Sequence, residues 1–185
     1  MWLLAFLLMQ QQPAGQVQKD IVTGAAEDEI VYSAPRTGVT LKLKGNTLSS
    51  ATINVGKYDG NQIRGNYKTL TVDIHWTNDR VSGMIGPGSQ MNLKVRTTEE
   101  GIKVDGMYRG VTSHFRIGYG ILDGRIGSCR YNLVAEKDIY EGTRTCDFNP
   151  NFTEPMSLKL PKKITSRPPA EIIAFLAVTF LGQRD

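Results

Sequence analysis

Two histidines, two cysteines and a run of arginines and lysines are the side chains in this sequence with chemistry to offer. His75 stands two residues from Asp73, and residues two apart on a strand point the same way. A carboxylate beside an imidazole can move protons or hold a metal, but the same pair also fits a hydrated strand face. Nothing else completes a site around it. There is no HExxH, no paired CxxC, no EF-hand loop and no GxSxG elbow, so neither a tight metal site nor a serine nucleophile is supported. Gly86-Pro87-Gly88 and Gly118-Tyr119-Gly120 read as turns, without the following helix that a phosphate cradle needs. The chain therefore reads as non-enzymatic with no cofactor, and an enzyme built on Asp73 and His75 is the weakest reading carried forward.

Cys129 and Cys146 are better used on each other. A two-residue turn at Lys137-Asp138 makes Glu136 and Ile139 the first cross-strand pair and sets Cys129 opposite Cys146, within disulfide reach. Upstream, the apolar run Trp2 to Met9, three glutamines and Pro13-Ala14-Gly15 read as the core and exit of a secretory signal over residues 1–16. A run that short falls below the roughly 20 residues a membrane-crossing helix needs, so no transmembrane span is expected in the mature chain. Signal and disulfide together predict a secreted or periplasmic protein.

The basic residues Arg64, Lys68, Arg80, Lys94, Arg96, Lys103, Arg109, Arg116 and Arg125 fall on the polar face of the expected strands, against Asp73, Asp105 and Asp123. With a net charge of +4, that face is a candidate surface for an envelope polyanion. Nucleic acid is disfavoured, because Tyr67, Trp76, Tyr108 and Phe115, the aromatics that would stack on bases, take the buried parity. They are instead candidate walls of a cavity for an apolar small molecule.

What positions all these groups is a sheet that the chain writes twice. Residues 63–86 align without a gap on residues 104–127, at an offset of 41 residues, with Gly65 on Gly106, Tyr67 on Tyr108, Gly83 on Gly124 and Gly86 on Gly127. A weaker echo follows at Gly142, and the intervals from Gly65 to Gly142 suit one hairpin each. From Val39 onward apolar and polar residues alternate, as in Val39/Leu41/Leu43 and Leu70/Val72/Ile74/Trp76. About ten short strands share one apolar face, and a sheet that size must curl, double or be covered. The repeated glycines lie on that face, where a missing side chain permits tight coiling.

The expected fold is all-β: an antiparallel meander curled into a barrel or half-barrel, with one C-terminal helix packed on its open face or mouth. Pro168 and Pro169 precede AEIIAFLAVTFLG, a helix start followed by an almost wholly apolar run. The domain plan is a signal over 1–16, a linker over 17–38 and the repeat-containing meander over 39–147. A loop, short strand and helix over 148–185 belong to the same domain. Asn151-Phe152-Thr153 matches a glycosylation acceptor and reads chiefly as a turn. The functional expectation is an exported binding or structural module of the cell envelope or extracellular space, carrying an apolar ligand. A polyanion-binding surface is the alternative.

Overall fold

Alternating apolar and polar residues leave a sheet with one face that must escape water, and this sheet escapes by closing on itself. The structure, a computed structural model, describes residues 25–182 other than 27, 36, 45, 46, 52 and 59, so the expected signal segment lies outside the described residues. The strands are β1 (Glu29–Ala34), β2 (Thr37–Lys44), β3 (Thr47–Ser49), β4 (Ile53–Tyr58), β5 (Gln62–Tyr67), β6 (Leu70–Trp76) and β7 (Arg80–Ile85). They continue through β8 (Gln90–Thr98), β9 (Gly101–Tyr108), β10 (Val111–Gly118), β11 (Ile121–Ile126), β12 (Cys129–Glu136), β13 (Ile139–Cys146) and β14 (Thr153–Lys159). Each pairs antiparallel with the next, and β1 closes the ring against β14 with Tyr32 opposite Leu158. Closure leaves no free edge.

The barrel has fourteen strands where about ten were expected. Among the additions, β3 is three residues long and in β4 a glycine breaks the apolar series, whereas β13 is the strand that the Lys137-Asp138 turn required opposite β12. β1 lies within the stretch expected to be a linker, and it pairs on both sides. Ile30 to Tyr32 reads from the sequence as an edge strand, and ring closure gives it a second neighbour. Consecutive connections alternate between two rims. One, called here the mouth, carries the β10–β11 and β12–β13 turns and the entry to β1; the far rim carries the β5–β6, β9–β10 and β13–β14 connections.

Gly65, Gly83, Gly106, Gly124 and Gly142 sit near the middle of β5, β7, β9, β11 and β13, on every second strand. At Gly106, with φ at +147°, an added Cβ would lie 2.1 Å from the Asn92 carbonyl oxygen on β8. At Gly124, with φ at +120°, it would lie 2.3 Å from the His114 carbonyl oxygen on β10. The sheet bends sharply onto the preceding strand at these points, and only a residue without a side chain lets the backbones approach that closely.

After β14 comes a single turn, α1 (Lys162–Thr165), and then α2 (Pro169–Thr179), which ends in a 3-10 turn over Phe180–Gly182. Every residue from Ala170 to Leu181 is buried, which suits a helix apolar on all sides. It contacts β1, β6, β7 and β8 and shares their core, so of the positions the sequence allowed, on an open face, at the mouth or as a plug, it takes the plug. A barrel of this strand number has the width to hold a helix. Tyr108, at the far-rim end of β9, donates from its hydroxyl to the Ala177 carbonyl at 2.8 Å, which fixes the helix running from mouth toward far rim. Glu171, buried in the first turn, is paired with Arg167, and the Thr179 hydroxyl donates to the Phe175 carbonyl at 2.9 Å. Full burial of each of Ile173, Phe175 and Leu176 stabilises the plugged state by about 1.5–3 kcal/mol.

Cys129 and Cys146 form a disulfide between directly opposed residues of β12 and β13, with Glu136 opposite Ile139, as the turn-centred register predicts. The cross-link, at a sequence separation of 17, stabilises by about 3 kcal/mol on a chain-entropy account. The outward positions of the barrel carry charge, for example Arg64, Asp73, Lys94, Asp105, Arg116 and Asp123. A lipid-facing barrel shows an apolar band there instead. No described helix is long and apolar enough to cross a membrane.

Candidate functional site

A cleft of about 850 Å³ opens at the mouth, within the size range of ligand sites. Three segments that are distant in sequence build it. The β10–β11 turn contributes Gly118 and Tyr119, the β12–β13 turn contributes Lys137 and Asp138, and the exit from β14 into α1 contributes Leu160, Pro161, Lys162 and Lys163. Asp28 and Tyr140 complete the wall. The Leu160 amide donates to the Asp138 carbonyl at 2.8 Å, locking the exit of β14 against the β12–β13 turn.

Two of the lining residues hold a left-handed backbone without being glycine: Tyr119 at φ +47° and Lys137 at φ +61°. Such conformations are uncommon for residues with a side chain. In the β10–β11 turn Gly120 is also left-handed, so the two residues make the tight reversal favoured in hairpins and present the Tyr119 ring outward, 80% exposed. Burial pushes the Tyr140 hydroxyl above its ordinary value, so at neutral pH it is a neutral donor at the cleft wall.

The lining combines apolar surface from Tyr119, Tyr140, Leu160 and Pro161 with three ammonium groups, Lys137, Lys162 and Lys163, and two carboxylates, Asp28 and Asp138. Among the described residues no group of three or more His, Cys, Asp or Glu side chains is arranged to hold a metal ion.

The residues singled out from sequence fall elsewhere. Trp76, Tyr108 and Phe115 are buried in the core around α2, and Tyr67 packs half-buried against it. Asp73 and His75 do share the outer face but part company: Asp73 accepts from Gln62 at 2.7 Å and from Arg64 at 3.3 Å, while His75 Nε2 meets the Ser82 hydroxyl at 2.9 Å. The second histidine makes the closer acid–imidazole contact. His114 Nδ1 and Arg96 both donate to Asp105, directly across from His114 in the sheet. Burial alone would raise the Asp105 pKa, but these two donors outweigh it and hold the carboxyl below its ordinary value.

The basic residues divide by their neighbours. Arg64, Arg96, Arg116 and Arg125 are paired with Asp73, Asp105, Asp123 and Asp147. Arg80, Lys94 and Lys103 are on the outer wall, with Arg80 opposite Lys94. Lys68 and Arg109 sit in far-rim turns, each with a left-handed backbone. A smaller hollow of about 220 Å³ lies beside His114, Arg116 and Asp123, where the charges already satisfy one another.

Sequence reasoning read Gly118-Tyr119-Gly120 and Lys137-Asp138 correctly as turns and missed that they meet. The available signal was the alternation of hairpin ends, which puts every second turn on the same rim once the ring is closed. No protein-family model, curated protein or solved structure matches the chain.

Proposed function

We propose that this chain is an exported, non-enzymatic binding barrel, secreted or periplasmic, whose ligand enters the cleft at the mouth. The occupied lumen carries this reading: α2 fills the interior in which an apolar ligand was expected, and the ligand-sized space of about 850 Å³ lies at its entrance. Tyr119, Leu160 and Pro161 suit an apolar body, and Lys162 and Lys163 suit an anionic group, so the ligand class is a small anionic amphiphile. The disulfide supports an oxidising compartment. A polyanion on the outer wall has less support, because four of its arginines are engaged by carboxylates.

Native, non-reducing mass spectrometry of the protein purified from its own source tests the proposal. The expected spectrum shows the oxidised chain with one small molecule bound, and Lys162→Glu with Lys163→Glu releases that molecule while the disulfide stays. A chain that emerges reduced and empty overturns both the compartment and the ligand. An adduct retained by the double variant removes it from the cleft.

A further inference from the structure

The far rim is built differently from the mouth, and its difference is amphipathic. Between β13 and β14 the chain makes a six-residue turn, 147–152, that exposes two phenylalanines, Phe148 at 58% and Phe152 at 47%. Exposed rings on an otherwise polar barrel are an expense that solubility alone does not explain. The loop is also held still. Its base is the Cys129–Cys146 disulfide, Asp147 N donates to Ser128 O at 2.9 Å, and Asn149 N donates to Cys146 O at 3.0 Å. Phe152 N donates in turn to Asn149 O at 3.1 Å, and Arg125 is paired with Asp147. Two rings presented on a preorganised loop lose little conformational entropy on docking.

Of the other exposed large apolar side chains, Tyr119 and Val134 lie at the mouth and two methionines lie at the far rim. Met84, near the far-rim end of β7, and Met107, near that of β9, both face outward and are about half exposed. The charge around them is one-sided. Among the described residues the far rim carries Lys68, Arg109, Arg125 and Arg130 against one exposed carboxylate, Asp147, which Arg125 already engages. The mouth is mixed in sign: the exposed carboxylates Asp28, Asp79, Glu99, Glu100 and Glu136 stand there together with Arg80, Lys137, Lys162 and Lys163. Arg130 stands beside the aromatic loop, since it lies opposite Thr145, which in turn faces Thr153 at the end of the loop.

We propose that the far rim docks on an anionic lipid surface, with Phe148 and Phe152 entering the headgroup–acyl boundary and Arg130 and Lys68 lying at the level of the lipid phosphates. The aromatic rings supply apolar burial at the interface, and the basic side chains reach phosphate while their stems stay in the apolar zone. The mouth then points away from the membrane, and the cleft stays open to solvent.

Flotation of the oxidised full chain with vesicles tests this directly. The native protein is expected to float with vesicles containing phosphatidylglycerol, and to float less with pure phosphatidylcholine. Phe148→Ser with Phe152→Ser is expected to lower partitioning by at least about tenfold. Both positions are exposed, so the thermal midpoint should hold and report an intact fold. Arg130→Glu alone is expected to weaken binding to the anionic vesicles and leave the weaker binding to phosphatidylcholine unchanged, while Tyr119→Ser, at the mouth, changes neither. Failure of the native chain to float with phosphatidylglycerol vesicles overturns the proposal, as does flotation that the phenylalanine double variant leaves intact.

Discussion

Arg144 with Glu154 and Arg64 with Asp73 are chemically the same pair, each directly opposed across two neighbouring strands, yet they stand on opposite faces of one sheet. Inside, Arg144 and Glu154 are 3% and 6% exposed, and Arg144 donates to Glu154 at 2.9 and 2.7 Å and also to the Tyr32 hydroxyl. Burial works against the Arg144 charge, but Tyr32 and Glu154 more than compensate and raise its pKa. Outside, Arg64 and Asp73 meet at 3.3 Å with much of both side chains in water. The lesson is that the inner face is where a small change has a large effect. There space is constrained by the neighbouring strand and charge by burial; on the outer wall water replaces whatever a mutation removes.

The hardest test of that contrast is steric. Gly106→Val places a Cβ against the Asn92 carbonyl and adds two methyl groups where β8 and β9 approach most closely. It is expected to destabilise the barrel by more than about 4 kcal/mol, the range reserved for backbone strain and core overpacking. Thr112→Val, exposed on the outer face of the neighbouring β10, is expected to stay within about 0.5 kcal/mol. Urea midpoints of the two variants compare them directly, and equal midpoints would dissolve the distinction.

Next in size is charge. Glu154→Gln leaves the Arg144 guanidinium buried without its counter-charge and is expected to cost about 3–5 kcal/mol. Replacing both partners by apolar residues, Arg144→Met with Glu154→Leu, is expected to recover most of that loss, because the penalty comes from the stranded charge. Denaturant titration of the single and double variants reads it. A double variant as unstable as the single one would make the pair a source of stability in its own right.

A third, smaller effect depends on pH. Tyr131 sits on the inner face beside Tyr32 and Phe180, and burial, followed by the neighbouring Tyr32, raises its pKa well above the ordinary value near 10. The folded barrel thus keeps a proton that the unfolded chain releases. Its contribution is intact below pH 10 and is lost as pH climbs toward the raised value, at about 1.4 kcal/mol per pH unit. Tyr131→Phe is expected to flatten the alkaline fall in thermal midpoint. An unchanged slope would place the sensitivity in other groups, such as Tyr140, whose pKa burial also raises.

Much of the inner face was legible in the sequence, because alternation encodes burial residue by residue. Val72, Ile74 and Trp76 face inward as their spacing requires, and the glycines fall where the sheet bends. The Cys129–Cys146 register followed from counting outward from one turn. Arg144 stands out in the sequence as a base where the glycine repeat elsewhere has an apolar residue, but its pairing with Glu154 was not legible. Each is a charge at an apolar parity, and its partner lies across a strand pair whose register nothing in the sequence announces. The mouth cleft was hidden for a related reason. Tyr119, Lys137 and Lys162 come from three connections whose meeting depends on ring closure, and local periodicity contains no term for closure. The sequence allowed α2 as a plug as well as a cover, and the strand count decides for the plug, since a narrower barrel has no room for a helix.

The smallest expected effect is the outer pair, and it decides whether the faces differ in kind. A double-mutant cycle with Arg64→Ala and Asp73→Ala isolates their coupling from everything else the two side chains touch. Because Asp73 also accepts from Gln62 at 2.7 Å, removing Arg64 leaves the carboxylate with a partner and with water. The expected coupling is therefore below about 1 kcal/mol and shrinks further in high salt. A coupling of several kcal/mol that resists salt would mean that the outer wall behaves as a connected charge network from Arg64 round to Arg116. The basic face would then be part of what holds the barrel closed.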